Sequence, residues 1–386
     1  MASWRPAPAL ALLLAYFVLI GVIIGGEGVL WAEIVATLRL SDATFGMTQL
    51  ASPLLSVIVL LQAGALTTGL GKKRMAAVGL VALGAALLLT AAAGGLWAFA
   101  GALAVAGLGF GLVETAMNSA TLDWEHATRR SVMNAMHAGF SGGAVVGAFG
   151  AGMLLDAGWR YPGVLALLAA CCAAALLATL PVRYPPPEPP ADGAGSPLAA
   201  LRLLAGSRAI ILLAALALMG IVGESIAITW SVIYLRSLGA PALIGGAAFA
   251  LFNGAMFIGR LANAPLVARY GARLSLFVSG GLLVASGVLL LVPPGVPLAV
   301  AALALAGLGV AGVIPTALSA AARLAPGNAG AVTGALMSAA YLGFIICPPL
   351  IGWIAELISL RAALVLIGAS GVAIIALVGG LHRAER

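Results

Sequence analysis

Three glutamates stand inside long apolar stretches of the chain, where charged side chains are rare. They are Glu27, Glu114 and Glu224. A charged group near the centre of a bilayer costs about 2.5–3.5 kcal/mol on insertion scales, so it is seldom present without a use. A carboxyl group in such a place can take up and release a proton as its surroundings open to water. The predicted chemistry is proton binding. The alternatives are an acid that hydrogen-bonds a neighbouring helix for Glu114, an acid hydrated near the outer interface for Glu27, and an acid that pairs with Arg260 for Glu224.

Polar and aromatic side chains occur in the same apolar stretches as the acids. Their amide and imidazole groups can hydrogen-bond a polar solute, and their rings can stack on one. Ordinary helix packing is the alternative for each aromatic ring. The predicted substrate-binding set is Asn118, His137, Phe140, Trp230, Tyr234, Asn253 and Tyr341.

The composition excludes a soluble domain. Of 386 residues, 63% are apolar and 8% are charged, whereas soluble domains carry roughly a quarter of charged residues. Most of the surface must therefore face lipid. The 51 glycines favour an all-α membrane protein, because small residues let transmembrane helices approach closely. The basic residues form no continuous patch, so no nucleic-acid partner is predicted despite the net charge of +7.

A bilayer core about 30 Å thick needs about 20 helical residues, and twelve stretches of the sequence meet this length. The predicted spans are 9–35, 44–66, 75–94, 96–119, 131–154, 160–180, 209–235, 242–266, 274–292, 297–319, 329–353 and 359–380. The proline-rich segment 181–207 is predicted to be a linker. It divides the chain into six-helix bundles at 1–180 and 208–386.

An internal repeat at a constant offset of 200 residues relates the two halves. The matched pairs are Gly71 and Gly271, Gly107 and Gly307, Gly109 and Gly309, Ser119 and Ser319, and Gly143 and Gly343. Two parallel halves related by an axis along the membrane normal give this pattern, with the substrate site near the midplane. Fourteen basic residues fall on the side of the N-terminus and four on the other, which predicts that both termini are cytoplasmic.

The loops after spans 2 and 8 carry glycines and basic residues at fixed spacing. They are Gly64, Gly71, Lys72 and Lys73 in the first half, and Arg269, Gly271 and Arg273 in the second. This pattern resembles the cytoplasmic loop signature of the major facilitator superfamily, G-x-x-x-D-R-x-G-R-R. Thr68 and Ala268 stand where that signature has its acid, so no gating role is predicted for the loops.

Span 4 carries the more specific resemblance. Its sequence, Gly107-Leu-Gly-Phe-Gly-Leu-Val-Glu114-Thr-Ala-Met-Asn118, is similar to the G-L-G…E-T-A-x-N signature of the fucose-permease-like branch and its uncharacterised bacterial relatives. The resemblance implies a secondary transporter of the bacterial inner membrane that works as a monomer by alternating access. It further implies proton-coupled symport of a sugar or similar small polar metabolite, with Glu114 as the leading proton carrier.

Two other transport modes and an enzyme remain to be weighed against symport. A proton-driven exporter of drugs or metabolites should carry a proline in span 5, where this chain has Ala148. An uncoupled facilitator would use the acids only to bind its solute.

The three histidines and three cysteines are scattered without ligand spacing, which predicts no metal, no cofactor and no enzymatic activity. Residues 123–126 (Asp-Trp-Glu-His) are predicted to form a solvated turn.

Overall fold

The computed structural model describes residues 5–130, 132–185, 207–292, 295–324 and 329–384. In these ranges the chain is almost entirely helical and contains no strand. The helices are α1 (Pro6–Leu38), α2 (Asp42–Thr48), α3 (Ala51–Leu61), α4 (Ala63–Gly69), α5 (Lys72–Ala92), α6 (Leu96–Thr128), α7 (Met133–Asp156), α8 (Tyr161–Thr179), α9 (Arg208–Ser237), α10 (Ala242–Leu291), α11 (Val296–Ala311), α12 (Val313–Leu324), α13 (Ala329–Leu357), α14 (Leu360–Leu364) and α15 (Leu366–Ala384).

The twelve predicted spans are confirmed. Eleven helical stretches within the described ranges are long and apolar enough to cross a membrane. One of them is α10, whose 50 residues are interrupted at Gly271 by a non-helical backbone with φ 84° and ψ 160°. This break makes α10 two spans. Most of the predicted linker, at 186–206, lies outside the residues that the structure describes.

Backbone geometry reproduces the 200-residue repeat. Gly71 and Gly271 both have positive φ, at 77° and 84°, and each precedes the third span of its half. Arg39 and Gly239 form a second positive-φ pair at the same offset. Such values are strained for most L-residues, so they mark true chain reversals. The predicted fold of two pseudo-symmetric six-helix halves is confirmed.

The chain divides into two compact units. The first contains residues 1–189 and 241–250, and the second contains 190–240 and 251–386. Residues 241–250, the start of α10, thus cluster with the first unit. Each unit has its own buried core of leucine, isoleucine, alanine and aromatic side chains.

Glycine allows the closest helix contact of the first unit, between α1 and α7. A Cβ added to Gly143 would collide with the Val18 carbonyl, and one on Gly147 would collide with the Val22 carbonyl. Gly25 of α1 faces the Ala144 backbone in the same way. The two backbones therefore touch directly, as expected where packing rather than water exclusion drives helix association.

The predicted turn at residues 123–126 is wrong. These residues belong to α6, which continues to Thr128, nine residues beyond the predicted end of span 4. Asp123 is 2% exposed and Trp124 is 4% exposed. The Trp124 indole donates a 2.9 Å hydrogen bond to the Pro6 carbonyl at the start of α1. The polar end of this span is therefore part of the packed bundle.

Candidate functional site

Glu114 lies in the middle of α6 and is half-buried. Asn118 follows one turn later on the same face, and its Nδ2 donates a 2.9 Å hydrogen bond to the Glu114 carbonyl. This bond holds the amide against the backbone of its own helix. Ser119 also bonds its own helix, through the Thr115 carbonyl at 2.6 Å. The predicted proton carrier Glu114 and the predicted binding residue Asn118 thus lie one turn apart on α6.

Glu27 lies on α1, where it is half-buried between Gly26 and Gly28. The same helix packs against α7, which carries two of the predicted binding residues. His137 of α7 meets the ring of Phe17 edge-on at 5.2 Å between centroids, and Phe140 is half-buried one turn later. In the first unit, therefore, Glu27, His137 and Phe140 lie on two directly contacting helices.

The second unit contains Glu224 of α9, which is half-buried. Arg260 of α10 lies close enough for its charge to act on Glu224. The other predicted binding residues of this unit are more enclosed: Trp230 is 0% exposed, Tyr234 is 6% exposed and Asn253 is 4% exposed. Tyr341 of α13 is half-buried and packs against Phe344, with ring centroids 6.1 Å apart.

The loop after span 2 is tied to α6 by an ion pair that the sequence analysis missed. Lys72 Nζ lies 2.5 Å from Asp123 Oδ2 and 3.2 Å from the Ser119 carbonyl. We refer to Lys72 and Asp123 as the charged clasp. Lys73 donates to the carbonyls of Leu180 and Val182, at 2.8 and 2.9 Å, at the end of α8. The acid that this loop lacks is thus supplied by another span.

In the second unit, the corresponding spans are joined by neutral hydrogen bonds and not by an ion pair. Asn263 Nδ2 of α10 donates to Thr316 Oγ1 at 3.1 Å, and Ser275 Oγ donates to Asn263 Oδ1. We refer to Asn263, Ser275 and Thr316 as the amide clasp. The predicted basic residues of this loop stack on rings instead: Arg269 lies over Tyr270 at 5.2 Å and Arg273 lies over Phe277 at 5.5 Å. Gly64 lies in α4, and Gly71 and Gly271 are the positive-φ glycines that precede the third span of each half.

This helical, repeated architecture is shared with a known family of membrane transporters. The chain matches the Major Facilitator Superfamily over residues 9–296 and again over 223–385. The chain belongs to the Major Facilitator Superfamily. It is a multi-pass membrane transporter, and the resemblance found in its sequence is confirmed. An uncharacterised transporter of Sinorhizobium fredii is 29% identical to it over 359 residues, which cover 92% of this chain and 93% of the relative.

Solved structures of the superfamily share the fold. The nucleoside transporter NupG superposes with a TM-score of 0.80 at 15% identity, covering 98% of this chain and 99% of NupG. The Escherichia coli fucose:proton symporter FucP gives a TM-score of 0.61 at 18% identity, covering 96% of this chain and 98% of FucP. At these identities the likeness is one of fold. The substrate must be argued from the residues of this chain.

Proposed function

We propose that this transporter is a proton-coupled symporter of a sugar or a similar small polar metabolite. The observation that carries the proposal is the position of Glu114, a half-buried acid in the middle of α6 with Asn118 one turn away. Glu114 is the leading proton carrier, and Glu27 and Glu224 are further candidates. Asn118 and the other predicted binding residues form the surface for the solute.

The free energy needed to place an acid in a span favours a functional role for Glu114 over a packing role. An ionisable group in a span is expensive to bury, while the helices of this unit are already held by direct glycine contacts. When the carboxyl group binds a proton it becomes neutral, and when it releases the proton it becomes charged again. A transporter coupled to a proton gradient needs a group that changes its charge in this way.

The proposal includes a location. We place the protein in the bacterial inner membrane as a monomer. We place both termini in the cytoplasm, because basic residues are concentrated on that side of the spans. The substrate range to test comes from the neighbours in fold. One of them is a nucleoside transporter and the other is a fucose:proton symporter, so nucleosides and deoxysugars belong in the panel.

The test is uptake by the purified protein in liposomes loaded with a pH-sensitive dye. Hexoses, pentoses, deoxysugars, polyols and nucleosides are added in turn to the wild type and to Glu114→Gln. We expect solute-dependent acidification inside the liposomes, and we expect Glu114→Gln to abolish it. Glu356→Gln is the matched control, because Glu356 is an exposed acid near the end of α13, and this variant should acidify normally.

Each other outcome points to a different function. Proton efflux driven by drugs, with no response to any polar metabolite, would replace symport by export. Solute uptake without proton movement, unchanged in Glu114→Gln, would leave an uncoupled facilitator and reduce Glu114 to a packing residue.

A further inference from the structure

One permanent charge of the second unit has no role in the mechanism proposed so far. Arg260 lies within α10, in a stretch apolar enough to cross a membrane, and its side chain is exposed. An arginine stays protonated in proteins, so it cannot escape its cost by losing its charge. The position 200 residues earlier is Leu60. The fold itself therefore does not require a cation here.

Helix geometry places Arg260 on the same side of α10 as two asparagines. Asn253 precedes it by seven residues and Asn263 follows it by three, which are spacings that share one face of a helix. The strongly exposed apolar neighbours Ile258 and Leu261, at 61% and 62% exposure, project about 160° and about 100° away around the helix. Arg260 thus shares one side of the helix with the buried Asn253 and the half-buried Asn263, and also with Phe257, which is 36% exposed.

The neighbouring amide on this face is already engaged. Asn263 uses its nitrogen on Thr316 and its oxygen on Ser275. Within the part of the chain that the structure describes, no hydrogen bond or ion pair engages the Arg260 guanidinium, although the charge of Glu224 acts on it from α9. The guanidinium therefore has unengaged donors on an exposed side chain, and the nearby acid Glu224 does not neutralise it by direct contact.

A guanidinium whose N–H groups are not engaged binds one class of chemical group best. Its planar fork of N–H groups matches the two oxygens of a carboxylate or a phosphate, and such charge-assisted pairs are the stronger hydrogen bonds. A neutral sugar hydroxyl gains much less from a permanent cation. An anionic group on the solute would also compete with Glu224 for the positive charge.

We propose that Arg260 binds an anionic group, a carboxylate or a phosphate, carried by the transported solute. This inference rests on the proposed function, since it specifies the class of polar metabolite that the transporter moves. Glu224 is the internal anion that the solute displaces.

The test uses matched anionic and neutral solutes: D-galacturonate with D-galactose, and uridine monophosphate with uridine. Dissociation constants are measured on the full-length protein in detergent, and uptake is measured in liposomes. We expect the wild type to prefer the anionic member of at least one pair. Arg260→Gln should weaken anion binding by about 10- to 100-fold and leave the neutral partner unchanged. Glu224→Gln should strengthen anion binding.

Two further variants separate this role from a structural one. Arg260→Lys keeps the charge but not the fork, so it should recover only part of the anion binding lost in Arg260→Gln. Arg269→Gln removes an arginine from the same helix, where it lies over Tyr270, and should leave the preference intact. Melting temperatures of the ligand-free variants show whether each one folds.

The inference and the proposed function fail in different ways. Proton-coupled uptake of a neutral solute that Arg260→Gln does not alter would overturn the inference and leave symport standing. Arg260-dependent binding of an anion without any proton movement would support the inference and overturn symport. If neither anion binds the wild type, or if Arg260→Gln binds both equally well, Arg260 is not an anion site.

Discussion

In the first unit the start of α5 is fastened to α6 by the charged clasp, whereas the corresponding spans of the second unit are fastened by the amide clasp. Neither set of residues repeats in the other half: Lys72 and Asp123 are matched 200 residues later by Ala272 and Arg323. The repeat has thus preserved the backbone and its left-handed glycines while the polar contacts that secure them differ.

The difference shows which features such a repeat must keep. Backbone reversal at Gly71 and Gly271 depends on a conformation that few residues other than glycine adopt, so both halves have it. A polar contact between two helices can be made by an ion pair or by neutral hydrogen bonds. The ion pair is sensitive to the loss of either partner, because a buried charge would be left behind. Neutral groups leave a smaller penalty.

The largest effect is expected from breaking the charged clasp. Asp123→Ala leaves the Lys72 ammonium against a part of α6 where Asp123 was 2% exposed. We expect a loss of about 3–4 kcal/mol in the free energy of unfolding, measured by chemical unfolding in detergent. Glu356→Gln, which removes an exposed acid, should cost less than about 0.5 kcal/mol. Similar losses for both variants would contradict a stabilising clasp.

A medium effect comes from the glycine pair Gly143 and Gly343. A Cβ on Gly143 would strike the Val18 carbonyl, which is backbone, whereas a Cβ on Gly343 would first meet the Ile221 side chain at 2.6 Å. A side chain can move aside more easily than a helix backbone. We expect Gly143→Ala to cost about 2–3 kcal/mol and Gly343→Ala about 1 kcal/mol, measured by the same unfolding assay. Equal costs would mean that the two units pack equally tightly at this point.

Of the two clasps, the amide clasp is expected to give the smaller effect. Asn263→Ala leaves the Ser275 and Thr316 hydroxyls, which are 1% and 3% exposed, without the amide that joins them. We expect a loss of about 1–2 kcal/mol, which should hardly change between low and high salt because no charge is involved. A loss as large as that of Asp123→Ala would overturn the distinction between the two clasps.

The sequence predicted the spans and the repeat well because both depend on short-range signals. A run of about 20 apolar residues predicts a span, and glycines that recur at one constant offset predict that the chain reverses at the same places in both halves. The end of α6 was predicted wrongly for a physical reason: hydropathy falls after Ser119, but a helix needs only its backbone hydrogen bonds and continues through Asp123 and Trp124. A basic pair at Lys72 and Lys73 without an acid in its loop was the available signal for Asp123.

The candidate site was predictable only in part. Spacing alone places Asn118 one turn after Glu114, and the structure adds a hydrogen bond from the Asn118 amide to the Glu114 backbone carbonyl. The sequence does not determine which side of a helix meets its neighbours, so the 0% exposure of Trp230 and the 4% exposure of Asn253 could not be predicted. The roles of these residues in proton coupling and solute binding stay predictions.

The single-residue reversal at Gly271 has a mechanical consequence. Helix continues on both sides of it within α10, and Gly71 likewise stands directly before α5. A connection this short has no slack, so a displacement at the end of one span must pass in full to the next. The two spans of each pair are therefore coupled end to end, and any change in the angle between them falls on the φ and ψ of one or two residues.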